Sequence, residues 1–177
     1  MRVIGLTGGV GSGKSATTRI LRSLRIPVHD ADQAVHDAYR GEARAALAAL
    51  TPSSVDKNGE IDRAHVARAV AQDRSLIPKL EAILHPAVAR SRDRFLRAQR
   101  MRRRAQVVLD VPLLFETGGD ARCDQVILCR VAEPIRRARV MRRPGMTLEK
   151  WRVILGRQTP ERVKARMADA MAPTGAG

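Results

Sequence analysis

The residues best suited to chemistry lie near the start of this 177-residue chain, in the segment GLTGGVGSGKS, residues 5–15. Gly8, Gly13, Lys14 and Ser15 complete the pattern G-x-x-x-x-G-K-[ST]. Between a strand and a helix, such a loop directs its backbone N–H groups at a phosphate, and its lysine reaches the β- and γ-phosphates of a nucleotide. The predicted nucleotide-binding residues of this phosphate loop are Gly9, Val10, Gly11, Ser12, Gly13, Lys14, Ser15 and Ala16.

Two aspartates lie at the end of the second predicted strand, IPVHD at 26–30, and just after it, where an open parallel sheet binds its ligands. If the extended conformation continues through Asp32, then Asp30 and Asp32 lie on one face, so that one carboxylate meets an acceptor hydroxyl and the other braces it or the metal. A positioned carboxylate is the natural base for a hydroxyl that barely ionises at neutral pH. Capping of the next helix is the alternative role for both residues.

A third aspartate, Asp110, ends the buried strand VVLD. A hydrophobic strand that ends in Asp is typical of the acid that holds Mg²⁺ in phosphate-loop enzymes, although Asp after a strand is also common in turns. We predict a Mg²⁺ site formed by the hydroxyl of Ser15 and, through water, by Asp110.

The chain is strongly basic, with 33 Lys and Arg against 18 Asp and Glu and a net charge of +15. Arg139 and Arg143 flank a helix, a Pro-Gly break and a second helix, a pattern that predicts a mobile lid able to neutralise phosphate charge and exclude water. The run RAQRMRRR, residues 97–104, is predicted to be the exposed end of a helix. A nucleic-acid groove is the alternative, but single-strand binding normally needs aromatic side chains, and only Phe95 is nearby.

The elements that must position these residues alternate between strand and helix, which predicts a parallel sheet. The predicted strands are residues 2–6 and 26–30 and parts of 105–115 and 124–131. The predicted helices are 14–24, most of 33–104 apart from a turn region at 51–62, a stretch from Pro134 to about Arg143, and a stretch from the N-cap Thr147 through Arg157. In the first helix, Ile20, Leu21 and Leu24 are expected to form one apolar side.

Other classes of protein are disfavoured by what the sequence lacks. The guanine-reading pattern N-K-x-D is absent, and DKNG at 56–59 has no strand before it, so we predict a turn there rather than a GTPase element. No apolar run approaches the ~20 residues that a membrane span needs. Cys123 and Cys129 match no zinc spacing. We expect a cytoplasmic chain with neither a membrane nor a nucleic-acid partner.

Five segments taken together resemble the motifs of the dephospho-coenzyme A kinases: GLTGGVGSGKS, IPVHDAD, LEAILHP, LDVPLLFE and RVMRRPGMT. The resemblance runs from about Val3 to Asp169. It implies a phosphate-loop, three-layer α/β/α fold with a parallel sheet, a helical substrate lobe and a lid. It also implies ATP and Mg²⁺ as cofactors and the ribose 3′-hydroxyl of dephospho-CoA as the acceptor. The alternatives are another small nucleoside or nucleotide kinase and a non-catalytic basic protein that binds nucleic acid.

The resemblance also implies roles for individual residues. The catalytic residues by position are Asp32, Lys14 and Arg139, and Arg143 is a further nucleotide-binding residue of the lid. The implied substrate-binding residues are Asp30, His85, Pro86, Leu113 and Glu116. The residues that match the family's C-terminal pattern are Gln158, Pro160, Lys164 and Asp169. Taken alone, a His before Pro is more typical of helix entry or of packing.

The implied domains are a nucleotide-binding core of residues 1–35 and 105–135, an acceptor lobe of 36–104, a lid of 136–160 and a return to the core at 161–177. In the last segment the family's terminal helix is expected to be missing. Pro173 is expected to interrupt a central strand there, and Thr174 stands where the family usually has Asn.

Overall fold

In the computed structural model, which describes residues 1–175, five parallel strands form one sheet in the order β2-β3-β1-β4-β5. The strands are β1 (Arg2–Gly8), β2 (Val28–Asp30), β3 (Gln106–Asp110), β4 (Gln125–Arg130) and β5 (Ala170–Pro173). The helices are α1 (Lys14–Ser23), α2 (Ala31–Arg40), α3 (Arg44–Leu50), α4 (Arg63–Gln72), α5 (Leu76–Met101), α6 (Glu133–Met141), α7 (Leu148–Gly156) and α8 (Glu161–Met167). The last two residues of the predicted 161–177 segment lie outside the described part.

The sheet is covered on both faces, which explains why its central strands are nearly continuous apolar runs. On one face Leu6 and Val108 form a core with Cys129, and Leu21 of α1 packs against it. On the opposite face, Val126 packs with Leu114 and other apolar side chains. The predicted three-layer α/β/α fold is therefore confirmed.

The inner face of α1 is more polar than its sequence predicts. Leu21 packs on the sheet, but Ile20 and Leu24 are 59% and 65% exposed, so the expected apolar side is wrong for these two residues. The sheet-facing positions are shared with Thr17 and Thr18, whose hydroxyls make hydrogen-bond contacts with side chains of β4 and β3. Threonine hydroxyls that bond side chains of the sheet therefore occupy positions that a purely structural helix would fill with Leu or Ile.

Contacts divide the chain into two compact units, Met1–Asp30 with Gln99–Gly177, and Ala31–Ala98. The second unit has its own apolar core, which includes Leu47, Val66 and Ala87. The helical unit thus spans 31–98, whereas the sequence placed the acceptor lobe at 36–104. The acceptor-binding role of this unit stays a prediction.

The pair His85-Pro86 lies inside α5, which continues without interruption to Met101. Both residues are exposed. The helix-entry and packing interpretations of this pair are therefore wrong, because it neither begins a helix nor lies in a core.

The extended conformation of β2 ends at Asp30, and α2 begins at Ala31. The expectation that Asp30 and Asp32 share one face of a continuing strand is therefore wrong. Asp32 lies instead in the first turn of α2, where a carboxylate interacts favourably with the helix dipole.

The C-terminal strand β5 pairs in parallel with β4 and lies at the edge of the sheet. Pro173 is its last residue, in register with Arg130. The expectation that Pro173 interrupts a central strand is therefore wrong, since an edge strand tolerates a residue that has no N–H to donate.

Two local predictions are confirmed, the second in part. Gly59 closes the DKNG turn by donating its N–H to the carbonyl of Asp56 at 2.9 Å, and it has a φ of 77°. The run 97–104 contains the end of α5 and is exposed at residues 97 and 100–104, but the expected exposure is wrong for Gln99, which is 8% exposed. Within residues 1–175, no helix has both the length and the apolar character needed to span a bilayer.

Candidate active site

The phosphate loop connects the central strand β1 to the N-terminus of α1, as predicted. Gly11 and Gly13 have φ angles of 79° and 85°, a left-handed conformation that favours glycine. A Cβ added to Gly13 would also lie 2.9 Å from the Cβ of Thr174. The backbone conformation and the close approach of Thr174 therefore both require glycine at position 13.

Lys14 and Asp110, which the sequence identified separately, are in direct contact. The ammonium of Lys14 forms an ion pair with Oδ1 of Asp110, and Thr18 donates its hydroxyl proton to Oδ2 at 2.5 Å. The side chain of Asp110 is only 3% exposed, so this carboxylate is almost fully enclosed. Asp110 thus holds the lysine ammonium at the phosphate loop, where an incoming anion would meet it.

Arg139 of the predicted lid also lies at the loop. Its Nη2 donates to the carbonyl of Thr174 at 2.9 Å, and its Nη1 lies 3.3 Å from the position that a Cβ on Gly13 would take. Arg143 differs, because it lies beyond the last residue of α6 and is exposed. The structure therefore brings one of the two predicted arginines to the loop.

Arg136 of α6 also lies at the loop, although the sequence did not predict it as a site residue. It is 6% exposed, forms an ion pair with Glu161 and lies over the ring of Trp151, with 5.7 Å between Cζ and the ring centroid. Its guanidinium lies 3.1 Å from the position of a Cβ on Gly9 in the phosphate loop. Burial lowers the pKa of Arg136, and the carboxylate of Glu133 partly opposes that effect.

A pattern in the sequence could have identified Arg136. It precedes Val140 by four residues, and both lie on the buried face of α6. A buried arginine needs a partner for its charge, whereas an exposed arginine does not. The core-facing position of Arg136 therefore marks it as different from the exposed arginines around it.

Thr174 joins the end of β5 to the phosphate loop. Its hydroxyl donates to the carbonyl of Ser12 and also lies 3.1 Å from the carbonyl of Arg130, while its N–H donates to that same carbonyl at 3.0 Å. With Arg139 on its carbonyl, Thr174 is bonded to β4, α6 and the loop at once. The position at which the sequence departs from the family pattern thus makes a specific contact with the loop.

A buried ion pair lies behind the loop. Lys164 is 1% exposed, and its Nζ lies 2.7 Å from Oε1 of Glu116, which also accepts the N–H of Thr159 at 2.8 Å. Burial acts to raise the pKa of Glu116, but the contacts with Lys164 and Thr159 outweigh it, and the pKa lies below its usual range. The adjacent Gln158 accepts the N–H of Val10 in the phosphate loop at 3.2 Å.

The ion pair gives Glu116 a structural role, and the substrate contact implied for it stays a prediction. Of the other residues in the C-terminal pattern, Pro160 directly precedes α8. Asp169 accepts the N–H of Val126 at 2.7 Å and so attaches β5 to β4.

The remaining acceptor-side residues are at defined places. Asp30 is in register with Asp110 of the neighbouring strand, at the carboxyl ends of the strands, and its carboxylate lies 3.4 Å from Nη2 of Arg22. Asp32 follows two residues later along the chain. Leu113 is 37% exposed after β3. The substrate contacts implied for these residues stay predictions. The same holds for His85 and Pro86 of α5.

Comparison with known proteins identifies relatives over the whole length of the chain. The sequence profile described as Dephospho-CoA kinase matches residues 2–174. The dephospho-CoA kinase of Mesorhizobium japonicum is 44% identical over 177 residues, which cover 100% of this chain and 89% of that protein. A crystal structure of a protein from Thermus thermophilus is 34% identical in sequence and superposes with a TM-score of 0.82. The match covers 99% of this chain and 90% of that one. The structure of dephospho-CoA kinase from Campylobacter jejuni shares the fold, with a TM-score of 0.73 at 22% identity over 100% of this chain and 90% of that one.

Proposed function

The chain belongs to the dephospho-CoA kinase family, and we propose that its phosphate loop, Asp32 and Arg139 together transfer the γ-phosphoryl group of ATP to the ribose 3′-hydroxyl of dephospho-CoA. The products are CoA and ADP. The observation that carries this assignment of residues is the cluster of Lys14, Asp110 and Thr18, which places a cation at the N-terminus of α1 beside the loop.

Four positive elements converge where the ATP phosphates would bind. The loop N–H groups and the N-terminus of α1 supply partial positive charge, and Lys14 and Arg139 supply full charges. The N–H of Val10 is already engaged by Gln158, so it helps to fix the shape of the loop instead of binding phosphate in this structure. Because the loop N–H groups and Lys14 are in place before the reaction, they stabilise the charge of the transition state without reorganisation.

The oxygen atoms beside the loop suit Mg²⁺. The hydroxyl of Ser15 is exposed at the start of α1, and hydroxyl and carboxylate oxygens are the ligands that this ion prefers. Both oxygens of Asp110 already contact Lys14 and Thr18, which favours a contact with the metal through water. When bound, the ion neutralises charge on the β- and γ-phosphates.

Asp32 is proposed as the general base on the acceptor side. As the new bond forms between the 3′-oxygen and the γ-phosphorus, Asp32 takes the hydroxyl proton, and the bond to the ADP oxygen breaks. Its place in the chain supports this role, because Asp32 comes two residues after the strand whose last residue, Asp30, is in register with Asp110. Dephospho-CoA would be held by Asp30, His85, Pro86, Leu113 and Glu116.

The Pro-Gly break between α6 and α7 supports the proposed lid. The helices α6 and α7 are separated by Pro144-Gly145, where the glycine has a φ of 70°, and the N-cap Thr147 accepts the N–H of Lys150 at 3.2 Å. Closure of this segment would exclude water, which otherwise competes with the ribose hydroxyl for the phosphoryl group.

A coupled ADP-release assay with a panel of acceptors tests the proposal. With saturating ATP and Mg²⁺, we expect kcat/KM for dephospho-CoA to exceed that for adenosine, AMP and shikimate by at least about a hundredfold, since the acceptor must be positioned for in-line transfer. An assay without acceptor measures ATP hydrolysis and serves as the background. Equal turnover of nucleosides would contradict the acceptor assignment.

A further inference from the structure

The edge of the sheet opposite the phosphate loop carries an exposed arginine at or before the start of every strand. All five strands are parallel, so all of their starts lie on one edge, about 20 Å from the loop along β1. In sheet order, the exposed arginines of this basic edge are Arg25 before β2, Arg102, Arg103 and Arg104 before β3, Arg2 in β1, Arg122 before β4 and Arg166 before β5.

Exposed apolar side chains lie beside several of these arginines. Leu24, Met101 and Met167 are 65%, 85% and 47% exposed, and Met1 is 38% exposed. Each is the sequence neighbour of an arginine of the basic edge. Large apolar side chains that stand free beside cations mark a surface suited to contact with something both anionic and apolar.

Backbone contacts show that the basic edge is continuous. Arg2 donates its N–H to the carbonyl of Ala105 at 2.8 Å, and Asp124 donates its N–H to the carbonyl of Val3 at 2.8 Å. These bonds join the starts of β3, β1 and β4. Neighbouring strands lie about 4.8 Å apart, so five strand starts form a band about 20 Å wide.

The acidic residues of this region do not cancel its charge. Asp120, Asp124 and Asp169 lie on the same edge, against the seven arginines named above. Two of these carboxylates are used internally, since Asp124 accepts the N–H of Val3 at 2.6 Å and Asp169 accepts that of Val126 at 2.7 Å. The edge therefore presents a net positive surface.

We propose that the basic edge docks this protein on the surface of an anionic phospholipid membrane. The arginines would contact lipid phosphates, while the neighbouring Met and Leu side chains enter the boundary between headgroups and acyl chains. The phosphate loop, at the opposite edge of the sheet, stays open to substrates. This inference departs from the sequence-based expectation that the chain has no membrane partner.

The apolar side chains decide between a membrane and a nucleic acid. A nucleic-acid backbone offers phosphates to the arginines but gives no partner to four exposed Met and Leu side chains. Binding of single strands would also call for aromatic side chains on which bases stack, and the residues named for the basic edge include none. Unbranched Met side chains adapt readily to an irregular apolar boundary.

Co-sedimentation with vesicles tests the proposal. The full chain is mixed with phosphatidylcholine vesicles that contain either no anionic lipid or about one-third phosphatidylglycerol, at about 50 mM and about 500 mM salt. We expect binding to the anionic vesicles at low salt, with at least tenfold weaker partition at high salt or without the anionic lipid.

Two matched variants locate the surface. In the edge variant, Arg102→Gln, Arg104→Gln and Arg122→Gln remove three positive charges and keep the left-handed Arg103 in place. We expect about fivefold weaker partition per arginine, hence about a hundredfold, with unchanged kinase activity. The control variant removes three exposed arginines of the 31–98 unit, Arg68, Arg74 and Arg94, by the same substitution, and we expect it to keep most of the binding.

A third variant separates lipid from nucleic acid. We expect Met101→Ser to weaken vesicle binding about fivefold, because part of an inserted apolar side chain is lost, and to leave the binding of a labelled oligonucleotide unchanged. No binding to anionic vesicles, or equal loss in the edge and control variants, would overturn the proposal. The proposal would also be overturned if the chain bound the oligonucleotide more tightly than the vesicles and Met101→Ser had no effect on vesicle binding.

Discussion

Replacement of Lys164 by Met tests whether the buried ion pair with Glu116 stabilises the region behind the phosphate loop. Lys164 is 1% exposed and its Nζ lies 2.7 Å from Oε1 of Glu116. Met preserves much of the length of the side chain and removes its charge. The variant therefore leaves a carboxylate in place without its cation.

The expected loss of stability follows from the burial of the pair. Removal of one partner from a buried ion pair typically costs about 3–5 kcal/mol. The side chain of Glu116 is 14% exposed and keeps the N–H of Thr159, so we expect the lower end, about 3 kcal/mol in the free energy of unfolding at neutral pH. For a chain of this size that corresponds to a decrease in Tm of about 9 °C.

The pH dependence has a defined sign. In the native protein the pKa of Glu116 lies below its unfolded value, so the stabilisation is present above that unfolded value and is lost as pH falls through the folded pKa. Without Lys164, burial is left to raise the pKa of Glu116. The deficit of the variant should therefore be largest near pH 7 and should shrink towards about pH 5 as the carboxyl becomes protonated.

Urea unfolding followed by the fluorescence of Trp151, the single tryptophan, measures this loss. Lys79→Met, at an exposed lysine of α5, is the matched control and should change stability by less than about 0.5 kcal/mol. The double variant Glu116→Gln with Lys164→Met should recover part of the loss, because no charge is left unpaired. A Lys164→Met variant as stable as the control, or a double variant no more stable than the single one, would refute the reasoning.

Three further variants test the candidate site. Asp32→Asn should lower kcat about a thousandfold with little change in KM for ATP, since proton acceptance is lost. The control Asp37→Asn, on the same helix, should have near-native turnover, and near-native turnover of Asp32→Asn would exclude Asp32 as the base. Gly13→Ala should abolish measurable ATP binding by isothermal titration calorimetry, because a φ of 85° and a contact at 2.9 Å both oppose a Cβ, and native affinity would contradict this. Arg136→Met should raise KM for ATP about tenfold more than it lowers kcat, because the guanidinium packs against Gly9 of the phosphate loop, and Arg136→Lys should restore part of the effect; a pure loss of folded protein in both would argue for a structural role alone.

The features that could be predicted from the sequence are those set by short-range pattern. The phosphate loop, the DKNG turn and the Thr147 cap each depend on residues within a few positions of one another, and each has the predicted local structure. Contacts that join distant segments gave no such signal. The spacing of Arg136 from Val140 indicates that Arg136 is buried, but no spacing pattern indicates that it contacts a loop glycine more than 120 positions earlier. The contact of Lys164 with Glu116, across 48 positions, has no local signal either.

The errors have physical causes of the same kind. Ile20 and Leu24 follow a helical apolar pattern, but Thr17 and Thr18 share the sheet-facing side of α1 because the hydroxyl of Thr18 bonds a buried carboxylate. The prediction that Asp30 and Asp32 share one face was wrong because α2 begins at Ala31, directly after the last residue of β2.

The contact between Thr174 and Ser12 joins positions 162 residues apart, and it sets the order in which the nucleotide site is completed during synthesis. The whole G-x-x-x-x-G-K-S pattern lies in residues 8–15, long before Thr174 in the chain. A nascent chain that has reached only the end of β4 contains that pattern but lacks the hydroxyl that bonds the loop carbonyl and the carbonyl that holds Arg139. Closure of so long a loop is slow compared with local folding, so nucleotide binding by a ribosome-bound chain should report the arrival of β5 and not the earlier emergence of the loop.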